Sequence, residues 1–101
     1  MWYYKQLDRL KEDIKILTGA INRISSLKPS TYKLKETGSA CEGFIAHELA
    51  EVVPMAVTGE KDAVDADGNP IYQSVDLSKV IPLLVASIQE LTARVIALEN
   101  K

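Results

Sequence analysis

One apolar stripe constrains this chain more than any other feature. It runs through Leu77, Ile81, Leu84, Ile88, Leu91, Val95 and Leu98, at spacings of 4, 3, 4, 3, 4 and 3. A repeat of 3.5 residues held for three heptads predicts a helix whose seam faces another helix. Asp76 stands just ahead as an N-cap, and Pro82 falls near the first turn, where a missing N–H matters little. About 24 residues at ~1.5 Å each make a rod of roughly 36 Å. Such a rod is long for a chain of 101 residues. Glu90 and Arg94 have the i,i+4 spacing of a helical ion pair, and Arg94 at g and Glu99 at e are placed to pair between chains. Val85 widens the stripe, so an ordinary amphipathic helix lying on its own core is the competing arrangement. The sustained spacing favours self-association.

Length and charge set the remaining bounds. At 11.1 kDa the chain allows one domain, near the lower end of what buries a good core alone. With 12 basic and 14 acidic side chains and a pI near 5.3, it has no basic field for a phosphate backbone, so no nucleic-acid partner is expected. The lone Cys41 has no intrachain thiol to oxidise with or to share a zinc. Residues Val80 to Leu98 are interrupted by Pro82, Ser87, Gln89, Glu90, Thr92 and Arg94, so no membrane span is expected. The start, Met-Trp-Tyr-Tyr-Lys, lacks the pattern of a secretion signal. A small cytosolic-type domain that gains stability from partners is what remains.

Towards the N-terminus, Leu7, Leu10, Ile14, Leu17, Ile21 and Ile24 also repeat at 3, 4, 3, 4 and 3. Gly19 and the alternation Asp13-Ile14-Lys15-Ile16 argue against one continuous helix, and 7–17 is open between helix and extended chain. Thr18 to Leu27 reads as a helix capped by Thr18 and stopped before Pro29. Strands are predicted over Ser30 to Lys35, Gly43 to Ile45, Ala56 to Thr58 and Ile71 to Ser74, the last two joined by a polar loop from Gly59 to Pro70. A two-turn helix over Ala46 to Val53 ends at Pro54. The expected class is α+β, a small antiparallel β element with short helices and a long C-terminal helix. The expected organisation is a single domain over 1–101: an N-terminal remnant or tag over 1–8, a globular part over 9–75 and the coiled-coil helix over 76–101.

Few residues invite chemistry. His47-Glu48 starts like a zinc-protease helix, but the position four after His47 is Glu51 and the chain has one histidine. His47 is better read as a partly buried or interface polar residue. Asp62, Asp65, Asp67, Gly68 and Asn69 resemble a calcium loop; with Gly68 at its sixth position, Ala63 and Ser74 fall where carboxylates are obligatory. A hairpin turn explains the same residues. Cys41 lacks an electropositive setting and reads as inert. No metal and no cofactor is expected. Lys11 alone carries no catalytic claim, since Ser25 and Ser26, its nearest serines, lie far along the chain.

The order of six segments carries more information. They are Arg9-Leu10-Lys11-Glu12-Asp13-Ile14, Leu27-Lys28-Pro29-Ser30-Thr31-Tyr32, Gly43-Phe44-Ile45-Ala46-His47-Glu48, Val53-Pro54-Met55-Ala56-Val57, Val75-Asp76-Leu77-Ser78-Lys79, and Pro82 to Leu91. Together they resemble the peptidase S74 family, the intramolecular chaperone domain of phage tailspikes, tail fibres, neck appendages and endosialidases. The self-cleaving domain of the myelin regulatory factor is similar.

The resemblance implies a homotrimer that nucleates folding of an upstream β-rich fibre, its client, and then releases itself by cleavage. It also implies a setting in the host cytoplasm during phage assembly, or in the virion if no cleavage occurs. In the family a serine followed by aspartate opens the motif, and a lysine five residues after the serine is its base. Lys11 matches that lysine, while Gln6 stands at the serine position and Leu7 at the aspartate position. An amide is no nucleophile, so a chaperone deficient in cleavage is expected, with a working autoprotease or a retained trimerisation cap as the alternatives. Only five residues precede Gln6, so the client is not expected within this chain. The seven seam residues Leu77 to Leu98 become the expected trimer interface. Ile or Val at a with Leu at d favours two strands in simple coiled coils; the globular part and Val85 are expected to shift the balance to three.

Overall fold

The computed structural model describes residues 8–101. The chain enters through a 3₁₀ turn at Asp8–Leu10 and then runs without regular structure to Gly19. This resolves the open segment: Lys11 to Leu17 is neither helix nor paired strand. Asp13 takes a left-handed φ of 54°, which an aspartate tolerates, and this breaks the helical repeat that the apolar spacing suggested.

Helix α1 covers only Ala20–Ile24, shorter than the expected Thr18 to Leu27. Gly19, with φ 70°, occupies the N-cap position and offers no capping side chain, so Thr18 is not the cap. Strand β1 (Ser30–Lys33) pairs antiparallel with β2 (Ala40–Gly43), Ser30 opposite Gly43 and Lys33 opposite Ala40. The first strand stops two residues early because Leu34 closes a turn: its N–H donates to the Ser39 carbonyl at 2.9 Å, while Gly38 takes φ 72°. The partner strand lies ahead of the expected Gly43 to Ile45. Ala40, Cys41 and Glu42 carry little β signature, and pairing with Tyr32 and its neighbours makes the strand.

Helix α2 (Ala46–Val52) follows, and Pro54 ends it as expected by opening a 3₁₀ turn, Pro54–Ala56. Two-residue strands β3 (Val57–Thr58) and β4 (Ser74–Val75) form a second, separate ribbon, with Val57 opposite Val75. The expected Ile71 to Ser74 strand is thus displaced, because the Asp76 N–H donates to the Ala56 carbonyl at 2.7 Å and sets the register from its far end. Asp76 then caps the 3₁₀ turn Leu77–Lys79, and α3 (Ile81–Glu99) completes the chain with Pro82 in its first turn. Leu77 therefore begins the stripe outside the α-helix proper.

The core is small. Among the described residues the buried apolar side chains are Ala20, Leu49, Val53, Ala56, Val80, Leu83 and Ala86, with Leu27, Phe44, Val52 and Val57 packed around them. Each helix contributes one side to it, and α1 lies along α3.

Leu77 to Glu99 is also long and apolar enough to cross a bilayer, with a mean hydropathy of 1.6 over its best window, contrary to the expectation from its interruptions. Length and composition are all that this satisfies. One flank of the helix is built into the core, and Glu90 and Arg94 lie near the middle of the would-be span. Charges at that depth are costly.

Candidate functional site

Helix α3 carries two apolar faces, and they do not coincide. The face on the protein's own core is Leu83, Ala86 and Ser87, continued by the half-buried Glu90. The heptad face is Ile81, Leu84, Ile88, Leu91, Val95 and Leu98, all exposed; Ile88 is 64% and Leu98 62% accessible. At 3.6 residues per turn the two faces lie roughly 120° apart. The heptad residues are therefore not what anchors α3 to its own domain, which removes the competing arrangement in which one stripe serves both ends. Val85 and Ile96 are exposed as well and lie beyond the seam.

Alongside the seam runs a groove. Ile21 and Ile24 of α1 form one wall, Leu84, Ile88 and Leu91 of α3 the other, and Ser87 the floor. The Ser87 hydroxyl is buried and donates to the Leu83 carbonyl at 2.8 Å, so the floor offers no free donor.

Two side chains hold α1 in this position. The Glu90 carboxylate accepts from the Ala20 N–H at 2.8 Å and from the Ile21 N–H at 3.4 Å, supplying the cap that Gly19 lacks. The Arg23 guanidinium donates to the Val52 carbonyl at 3.0 Å, at the C-terminal end of α2. A cation is favourable there, as is a carboxylate at a helix start. The expected Glu90–Arg94 ion pair does not form: Glu90 turns inward to two unpaired amides, which gain more from a carboxylate than a solvated guanidinium does. Leu83, Ala86, Ser87 and Glu90 share one side of the helix beside the louder stripe, but their mix of apolar, small and charged types gives no pattern that spacing alone would single out.

The residues singled out for chemistry are scattered. Lys11 is exposed on the irregular segment after the first 3₁₀ turn. Gln6 and Leu7 lie outside the described residues. His47, half-buried as expected, borders an open depression with Glu60, Lys61, Asp62, Tyr72 and Gln73. Lys61 and Asp62 pair there at 2.6 Å, and that contact holds the Asp62 carboxyl below its usual range. The calcium-like segment is a turn closed by the Val64–Pro70 bridge. Asp65 Oδ1 accepts from the N–H groups of Asp67 and Asn69, both at 2.9 Å, and these bonds, the Asn69 amide foremost, depress its pKa. No cluster of three or more His, Cys, Asp or Glu suited to a metal occurs among the described residues. Cys41 is half-buried, its Sγ 3.9 Å from the Ser39 carbonyl oxygen.

Comparison with known proteins bears on the whole chain. The peptidase S74 profile, described as the chaperone of endosialidase, matches residues 8–58. The long tail fiber protein Gp37 of Enterobacteria phage K3 is 34% identical over 104 aligned positions, which cover 98% of this chain and 8% of that protein. Gp37 of Enterobacteria phage T2 gives the same identity and coverage. The chain thus spans less than a tenth of the length of these relatives. A crystal structure described as a novel intramolecular chaperon shares the fold, with a TM-score of 0.60 at 19% identity, over 87% of this chain and 98% of that one.

Proposed function

Because this chain belongs to the peptidase S74 family, the chaperone of endosialidase, we propose that it is a homotrimeric assembly domain for a β-rich tail fibre or tailspike. Three copies associate through α3 and bring three fibre strands into register. A fibre of three intertwined chains has mostly non-local contacts and is slow to nucleate. A helical seam made of local structure starts that process early. The proposed client is a tail fibre, as the name of the Gp37 relatives suggests, and the proposed setting is the host cytoplasm during phage assembly.

The observation that carries this reading is the heptad face of α3, exposed along its whole length while a different face packs the core. Ile21 and Ile24 broaden the apolar surface beyond the a and d positions, so that it extends past what a single partner helix on the seam covers.

Sedimentation equilibrium at micromolar concentration is expected to give three times 11.1 kDa; a monomer refutes the proposal. A β-fibre segment fused ahead of the chain should yield soluble trimer only when this domain is attached. The domain stays uncleaved from that fusion, since an amide side chain at Gln6 supplies no nucleophile. Restoring the family's motif with Gln6→Ser and Leu7→Asp is expected to bring cleavage back, and adding Lys11→Ala to abolish it again.

A further inference from the structure

We propose that the groove between α1 and α3 receives α3 of a second copy of this chain, so that Ile21 and Ile24 belong to the subunit contact. The assignment rests on the self-association reading above and extends it from one helix to two.

At about 340 Å³ the groove falls within the size range of small-molecule pockets. A small molecule, however, is oriented by free polar groups. The one hydroxyl in this groove is already spent on the Leu83 carbonyl. Its walls suit an apolar occupant that brings its own backbone hydrogen bonds satisfied, and a helix does so. Leu84, Ile88 and Leu91 belong to the groove and to the seam alike. A helix laid along the seam therefore overhangs α1, and its own a and d side chains are the apolar groups nearest the opening.

Helix α1 is suited to act as a wall. Five residues are too few to hold a helix alone. Glu90 fixes its first turn and Arg23 ties it to the end of α2, so Ile21 and Ile24 are presented before any partner arrives. Preorganised contacts add affinity because little order remains to be imposed on binding.

The test uses the full chain with a benzophenone side chain in place of Ile24, assembled from a mixture of nitrogen-14 and nitrogen-15 copies. Illumination is expected to join position 24 of one isotope to residues 84–95 of the other. Adducts confined to one isotope, or formed elsewhere, overturn the assignment. In a second arm, Ile24→Asp should weaken association at least tenfold in sedimentation with an unchanged helical signal, while Ile96→Asp, beyond both faces, should leave it as in the parent. Should Ile24→Asp fail to fold, the isotope cross-link alone decides. A parent chain that is itself a monomer refutes self-association and the groove together. A parent that assembles, with Ile24→Asp assembling as tightly, refutes only the groove.

Discussion

Glu90 is the side chain on which the placement of α1 depends. Its carboxylate does for α1 what a serine or aspartate N-cap does elsewhere, but from 70 residues away in sequence. Removing an N-cap destabilises by about 0.5–2 kcal/mol. Glu90→Ala is expected to cost about 1–2 kcal/mol, read as a lower urea midpoint, and Glu90→Gln less, because its amide oxygen still accepts one bond. Asp76 gives a prediction in pH. Its carboxylate accepts from the Ser78 hydroxyl at 2.6 Å and from the Ser78 N–H at 3.0 Å, and these bonds hold its pKa below the usual value. A folded-state pKa that is depressed means that the contribution is present above the unfolded value, roughly 3.9. It is lost as pH falls below that value towards the folded one. The urea midpoint should therefore drop as pH falls below roughly 3.9, and Asp76→Ala should show a shallower drop over the same window.

Among the elements, α3 is where sequence and structure agree most closely. Its helix and heptad face could be read from spacing, because no residue interrupts them as the left-handed Asp13 and Gly19 interrupt the same spacing nearer the N-terminus. Its second face could not, since Leu83, Ala86, Ser87 and Glu90 mix apolar, small and charged types, and only the packing of α1 gives them a common role. The short strands were legible in part. Tyr32 and Thr31 announce β1, whereas Ala40 to Gly43 becomes a strand through its partner, and β3–β4 takes its register from the Asp76–Ala56 hydrogen bond. Lys11 and Gln6 both rest on the family resemblance and carry no local signal of their own; Lys11 is exposed, and Gln6 lies outside the described residues. The two faces of α3 make separate predictions. Leu91→Asp should abolish self-association, because several carboxylates would meet in an apolar seam at a cost of several kcal/mol. Leu83→Ala should instead unfold the domain more easily by about 2–5 kcal/mol, since Leu83 is 2% exposed. Sedimentation reads the first, and a denaturant titration the second.

At the scale of the molecule, shape and core size point outward. The radius of gyration is 17.8 Å, against roughly 13 Å for a compact domain of this length, and the longest dimension is 61 Å. Seven buried apolar residues face twenty large exposed ones among the described residues. In the assembly proposed above copies cover these side chains, so the apparent melting temperature should rise with protein concentration. A tenfold dilution series followed by circular dichroism checks this, and a melting temperature independent of concentration counts against assembly-linked stability. The two faces of α3 share no residue, and this has a bearing on how such domains diverge. Seam residues can change in concert while the core residues stay fixed, leaving the fold of each chain intact but altering which copies fit one another. Under the assembly proposed above, two kindred fibres made in one cell would sort into separate assemblies by their α3 seams, each excluding the other's chains before any β-structure has formed.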